Sequence, residues 1–137
     1  MTLRFAILGA GRIGKVHAKA ILAQPAASLV VVADAHAPSA DALAAICGAR
    51  VSTIDLILAD AAIDAVVICT PTDTHADLIE RFAKAGKAIF CEKPIDLNID
   101  RVKACLAVVQ ACKVALMVGF NRRFDPHFAA LRGEIDK

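Results

Sequence analysis

The residues with the plainest chemistry stand at three places. Gly9-Ala10-Gly11-Arg12-Ile13-Gly14 spells G-x-G-x-x-G, Asp34 closes the apolar run Val30-Val31-Val32-Ala33, and Lys93 lies within Glu92-Lys93-Pro94. Each glycine of the first motif has a mechanical task. Gly9 permits a tight turn, Gly11 lets the backbone approach a pyrophosphate closely, and Gly14 lets a helix pack against a strand. The N–H groups and positive dipole end of a helix opening at Arg12 and Ile13 then face a diphosphate.

Asp34 stands about 20 residues beyond the last glycine, where a ribose 2′-hydroxyl donates to a carboxylate. The same charge repels a 2′-phosphate. Ala35, His36 and Ala37 offer no arginine to receive one, so NAD is favoured over NADP. A glycine turn by itself is a weak signal, because some flavin and S-adenosylmethionine domains use a related loop. A strand before it, a helix after it and Asp34 at the expected distance point to a dinucleotide.

The elements that must position these residues follow from hydrophobic periodicity. Strand-length apolar stretches alternate with helical patterns along the whole chain, the signature of repeated βαβ units and a parallel sheet. Strands are expected at 3–8, 29–33, 50–52, 65–69, 88–91 and 114–118, which makes a doubly wound, six-stranded parallel α/β sheet with helices on both faces. A first helix over 12–24 places Ile13, Val16, Ala20 and Ala23 on its apolar side. A second is expected from Ser39, as N-cap, to Cys47, with Gly48 ending it in a left-handed conformation. A third follows Thr72 and ends at Gly86. A fourth begins at Asn98 with Ile99, Val102, Leu106 and Val109 on its buried face. Another opens near Asp125-Pro126. No linker divides the 137 residues, so they read as one dinucleotide-binding domain.

Composition agrees with that architecture and excludes other classes. Apolar residues make up 58% and aromatics only 4%, so the interior is built from Ala, Val, Ile and Leu, as a helix-covered parallel sheet requires. The net charge is +2 with signs interspersed, which argues against a nucleic-acid partner or an anionic membrane surface. Every apolar run is interrupted well before the roughly 18 residues of a spanning helix. Gly9, Gly11, Gly14, Arg12, Lys15 and Lys19 interrupt residues 1–20 where a secretion signal needs an apolar stretch, so a cytoplasmic protein is expected. The five cysteines (Cys47, Cys69, Cys91, Cys105, Cys112) have no metal or redox-pair spacing and read as small buried hydrophobes. His17, on the first helix, reads as a packed or capping residue. His36 and His127 have no metal-ligating company, and no metal is expected.

Ligands of open α/β sheets bind beyond the carboxyl ends of the strands. There the sequence has Cys69-Thr70-Pro71-Thr72-Asp73-Thr74-His75 after strand four, Glu92-Lys93-Pro94 after strand five, and Gly119-Phe120-Asn121-Arg122-Arg123-Phe124-Asp125-Pro126 after strand six. Together with the glycine turn, these segments resemble the family of glucose-fructose oxidoreductases and inositol dehydrogenases over essentially the whole chain. The last run looks most like the family's inositol 2-dehydrogenase branch.

The resemblance implies a Rossmann domain of an NAD-dependent dehydrogenase acting on a secondary alcohol of a polyol such as myo-inositol. It implies that Lys93 lies beside the nicotinamide and the substrate hydroxyl, stabilising developing alkoxide. Pro94 would be a rigid bend, often cis in the family, that aims Lys93 into the cleft, with Glu92 alongside. Thr70 and Pro71 would bring backbone against the cofactor. His75 would open the next helix near the nicotinamide ribose, or be only a solvated neighbour of the cap. Asn121, Arg122 and Arg123 would lie near the nicotinamide or a substrate hydroxyl, although either arginine could instead pair with a surface carboxylate.

Family members carry a second domain with the substrate pocket and an Asp and a His for proton transfer, and assemble as homo-oligomers, in the full-length family tetramers. Such a domain is expected after residue 137, and these residues alone are expected to be inactive as a dehydrogenase. Rival readings are another sugar or polyol dehydrogenase of the family, a non-catalytic NAD-binding sensor, and an S-adenosylmethionine-dependent methyltransferase.

Overall fold

The computed structural model describes residues 2–137. Six strands form one sheet in which every pairing is parallel: β1 (Leu3–Leu8), β2 (Ala27–Ala33), β3 (Arg50–Val51), β4 (Ala65–Ile68), β5 (Ala88–Cys91) and β6 (Leu116–Val118). Their spatial order is β3-β2-β1-β4-β5-β6. The chain winds outward from β1 to one edge, returns, and winds outward from β4 to the other. A crevice therefore opens at the carboxyl ends of β1 and β4, where the two halves diverge. The expected six strands are all present, with ends differing by at most two residues.

Side chains alternate along each strand and fill two cores. On one face Ile7, Val32 and Val67 pack with Ala18 and Ile21 of helix α1 (Arg12–Leu22) and with Ala40, Leu43 and Ala44 of α2 (Ala37–Cys47). On the other, Ala6, Leu8, Val66, Ile68 and Ile89 meet α3 (Ile54–Ala59), α4 (His75–Lys84) and α5 (Ile99–Cys112). Phe82 of α4 is fully buried there and is the largest such side chain. Helix α6 (Pro126–Ile135) buries no residue. No helix among the described residues is long and apolar enough to cross a membrane.

Local chemistry sets the helix boundaries. Asn98 caps α5, its side-chain oxygen accepting from the N–H groups of Asp100 (2.8 Å) and Arg101 (3.4 Å). Asp125 caps α6 in the same way through His127 and Phe128. Gly48 ends α2 at φ +67°, a left-handed conformation open to glycine.

Four local expectations need correction. Helix α2 starts two residues before Ser39, at Ala37, because Pro38 suits a first helical turn; Ser39 instead bonds the His36 ring (2.9 Å). On α1 the buried stripe is Gly14, Ala18 and Ile21, while Val16 is 51% exposed. Close approach of Gly14 to the glycine turn fixes the rotation of that helix, so apolarity alone misplaces its face. On α5 the stripe is Val102, Cys105 and Val109, leaving Ile99 and Leu106 exposed. Helix α3 is new: Thr53 caps its six residues by accepting from the Leu56 N–H (3.3 Å), and a run of about one and a half turns is too short to show a helical period.

Candidate functional site

The glycine turn leaves β1 at Leu8 and enters α1 beside β4, at the crevice between the two halves of the sheet. Gly9 donates to the Ala33 carbonyl (2.8 Å), and Cys69 donates to that of Leu8 (2.7 Å), which ties the turn to both neighbouring strands. Gly9 adopts φ +97°, and a Cβ there would lie 2.5 Å from the Cys69 carbonyl oxygen. A Cβ on Gly14 would lie 2.0 Å from the Gly9 carbonyl oxygen. Gly11 is different, since a Cβ there would meet nothing within 4 Å. Two glycines are thus required by packing, and the third faces open space.

Helix α1 begins at that open space. Gly11 is its N-cap, no side chain caps its N–H groups, and its first turn holds no acidic residue. Unpaired amide donors at a helix N-terminus attract an anion. Arg12, exposed, and Ile13, half-buried, form this first turn as expected.

Asp34 follows β2 on the same edge. Its Oδ2 accepts from the Ala10 N–H (2.6 Å) and its Oδ1 from the His36 N–H (2.7 Å), so the carboxylate is anchored to the glycine turn itself. Carboxylate oxygens keep further acceptor capacity after one bond each. A cleft of about 670 Å³ opens beside Asp34, lined also by Ser52, Thr53, Thr70 and Pro71. Thr74 donates to the Pro71 carbonyl (2.7 Å) and Thr70 in turn donates to Thr74 (2.7 Å), which fixes this wall. Ser52 and Thr53 were missed by sequence reasoning; a two-residue β3 carries almost no periodic signal. Arg81 lines the same cleft, but its guanidinium is bound to Asp55.

Lys93 lies further along the edge, after β5. It is exposed in a second cleft, of about 570 Å³, lined also by Phe120, Asn121, Arg122 and Arg123. No carboxylate lines this cleft, and none of the ion pairs among the described residues involves Lys93. The Arg122 guanidinium lies 4.8 Å from the centroid of the Phe128 ring, a cation–π contact that links the cleft to α6. The Lys93–Pro94 peptide is cis.

Three expected cofactor contacts are placed differently. His75 opens α4, but its ring is buried (2% exposed) and not solvated: Nδ1 meets the Pro94 carbonyl at 2.7 Å and Nε2 the Thr70 carbonyl at 2.8 Å. Neither ring nitrogen is left for a ligand. Glu92 turns away from both clefts to bond His17 Nε2 (2.7 Å), because α1 brings that histidine beneath the end of β5. The Pro94 carbonyl faces His75, with one lone pair left over. The His17 ring also packs on Phe90, with centroids 4.7 Å apart. No sequence signal links His17 to Glu92, 75 residues away.

Cysteine chemistry is excluded from the site. Burial, with a smaller contribution from nearby Glu92, pushes the Cys69 thiol up to about 12. Burial does the same to Cys91, followed by the neighbouring Cys69, Cys105 and Glu92, again to about 12. A thiol so raised is protonated and non-nucleophilic near neutrality. Among the described residues no group of His, Cys, Asp and Glu could hold a metal ion.

Comparison with known proteins agrees with this geometry. Residues 3–120 match the oxidoreductase family, NAD-binding Rossmann fold. The chain is 69% identical over 136 residues to inositol 2-dehydrogenase of Rhizobium meliloti (strain 1021), covering 99% of this chain and 41% of that protein. Among solved structures it is similar to myo-inositol dehydrogenase from Corynebacterium glutamicum (47% identity, TM-score 0.89, 99% of this chain, 41% of that one). It is similar also to scyllo-inositol dehydrogenase from Lactobacillus casei with bound NAD(H) and scyllo-inositol (31% identity, TM-score 0.91, 99% and 41%). The chain spans about 41% of the length of these relatives.

Proposed function

This chain belongs to the oxidoreductase family with an NAD-binding Rossmann fold, and on that premise we propose that it is the cofactor-binding part of an NAD-dependent dehydrogenase that oxidises a ring secondary alcohol, with myo-inositol as substrate. The observation that carries the reading is a free lysine in a carboxylate-free cleft, on the sheet edge that also bears the glycine turn and Asp34.

The residues fit the cofactor. The open space at Gly11 and the uncapped amides of α1 suit a diphosphate. The anchored Asp34 suits the adenosine ribose, and Thr70, Pro71, Ser52 and Thr53 wall the adenosine side. Arg81 is no ready receptor for a 2′-phosphate, since Asp55 holds it. When bound, the nicotinamide accepts a hydride from the alcohol carbon.

The chain's own residues do the rest. The Lys93 ammonium donates to the substrate oxygen and stabilises negative charge as the hydroxyl proton is lost. Asn121, Arg122 and Arg123 supply donors around the same cleft to orient a hydroxylated ring. We place the second wall of the substrate pocket and the groups that carry the proton away in sequence outside these 137 residues, a reading supported by the greater length of the relatives. The whole protein is read as cytoplasmic, which its unpaired cysteines support, and as a homo-oligomer, an expectation carried over from the family resemblance.

The test is steady-state kinetics of the full-length protein with NAD or NADP on myo-inositol, scyllo-inositol and glucose. The expected result is NAD-dependent turnover fastest on an inositol, and a Lys93→Ala variant with kcat lowered by about 10²–10⁴-fold and little change in NAD affinity. Fastest turnover on glucose overturns the substrate, and a variant as active as the wild type overturns the role of Lys93.

A further inference from the structure

Lys93 has no side-chain partner, yet both of its chain neighbours are held by histidines. On one side of the sheet His17 of α1 bonds Glu92 at 2.7 Å, and the pair is wedged in place. A Cβ on Gly119 would stand only 3.1 Å from Glu92 Oε1 and 3.2 Å from the Phe90 ring, while Phe90 stacks on His17. On the other side His75 of α4, 2% exposed, has Nδ1 at 2.7 Å from the Pro94 carbonyl and Nε2 at 2.8 Å from the Thr70 carbonyl; both oxygens only accept, so a proton on Nδ1 makes the bond to Pro94 and a second proton, on Nε2, is needed for the bond to Thr70 as well. The two histidines belong to opposite helical layers and meet the chain one residue before and one residue after Lys93.

We propose that His17 and His75 are positioning residues that together aim Lys93, an inference that rests on the role given to Lys93 above. A lysine side chain is long and loses its aim unless something restrains it, and a catalytic group must be held to within about 0.5 Å of its productive place. Fixing the backbone sets where the stem of that side chain starts and the direction in which it leaves the chain. A strand end followed by a loop is ordinarily the freer part of a chain. Here each flank of the lysine is fixed to a different helix, so the peptide carrying it cannot pivot without breaking one of two hydrogen bonds. Neither histidine offers an atom to cofactor or substrate: His17 acts through Glu92, and His75 acts through Pro94 and also holds Thr70 of the other cleft.

Side-chain geometry supplies the test. An Asn amide reaches about where a histidine Nδ1 lies and a Gln amide about where Nε2 lies. His75→Asn therefore keeps the bond to Pro94, His75→Gln keeps only the bond to Thr70, and His75→Leu keeps neither. His17→Gln keeps the bond to Glu92 and His17→Leu loses it. In the full-length protein, kcat for polyol oxidation is expected to fall by about 10–100-fold in His17→Leu, His75→Gln and His75→Leu, with KM and the Kd for NAD unchanged in the first two, which leave Thr70 held. His17→Gln and His75→Asn should recover most of it.

Hydrogen–deuterium exchange of the peptide covering residues 91–97 is read on the same samples, and faster exchange is expected only in the three impaired variants. Unchanged kcat, equal recovery by His75→Gln and His75→Asn, or, in His17→Leu or His75→Gln, a loss matched by lost NAD affinity overturns the proposal. If the His75 variants fail to fold, the half-exposed His17 pair decides by the same criteria. If the wild type oxidises no polyol, the functional reading falls by itself, and the exchange pattern alone upholds or overturns the brace.

Discussion

The glycine turn allows packing and binding to be separated by two alanine substitutions three residues apart. In Gly14→Ala the new Cβ would lie 2.0 Å from the Gly9 carbonyl oxygen and 3.1 Å from its carbon. That is about 1 Å inside any tolerable contact, and both partners are backbone, so α1 has to lift from β1. Overpacking of this kind costs about 1–3 kcal/mol, which for a domain of this size lowers Tm by roughly 4–12 °C. In Gly11→Ala the backbone is already at φ −71°, and the Cβ meets nothing within 4 Å. Stability should change by less than about 0.5 kcal/mol. On the proposed reading the added methyl would stand in the path of the diphosphate, and loss of one charge-assisted amide contact should weaken NAD by about 1.5–3 kcal/mol, or at least about tenfold in Kd. Thermal unfolding without cofactor and calorimetric titration with NAD read the two effects independently. A Gly11→Ala protein that melts as low as Gly14→Ala, or that binds NAD as tightly as the wild type, refutes the division of labour among the three glycines.

Other perturbations test the cofactor preference, the buried thiols and the helix caps. Asp34→Asn removes the charge that repels a 2′-phosphate while keeping an acceptor, so the ratio of NADP to NAD affinity should rise by about tenfold or more; an unchanged ratio in paired titrations refutes the assignment. Burial, helped by the neighbouring Cys69, Cys105 and Glu92, pushes the Cys91 thiol from its ordinary 9.0 up to about 12, so the folded state holds its proton more tightly than the unfolded one. Its stabilising contribution is complete below pH 9 and is lost as pH rises toward 12, with an upper limit of about 4 kcal/mol. Urea unfolding at pH 8 and pH 10.5 should show a larger drop for the wild type than for Cys91→Ala, and equal drops would contradict the burial argument. Asn98→Ala leaves the Asp100 and Arg101 amides uncapped and should cost about 1 kcal/mol in the same assay.

What could be read directly from the sequence is what local patterns encode. Five of the six strands contain apolar runs of strand length and so were visible, whereas β3 (Arg50–Val51) has none, and the glycine turn and Asp34 depend on spacing within one βαβ unit. Helix faces were harder. The orientation of α1 is set by the approach of Gly14 to Gly9, a tertiary contact that outweighs the apolarity of Val16 and Ala20. Helix α3 escaped because six residues cannot establish a period. The histidines around Lys93 were beyond sequence reasoning for a different reason: His17 and Glu92 are 75 positions apart, and His75 meets Pro94 through a carbonyl that every residue possesses. Nothing in residue type announces such a partner.

The double anchoring of Asp34 has a thermodynamic consequence for recognition. Its carboxylate is held by the Ala10 and His36 amides of its own chain, bonds that form with the fold, so the rotamer freedom of that side chain is surrendered during folding and not during association. On the proposed assignment the adenosine sugar would meet an acceptor held in place by the fold. The same rigidity stiffens discrimination, because swinging the carboxylate aside for a bulkier anionic ribose would break both charge-assisted bonds, at about 1.5–3 kcal/mol each. Selectivity of this kind is a property of the peptide frame around the acid and should resist change by substitutions that leave that frame intact.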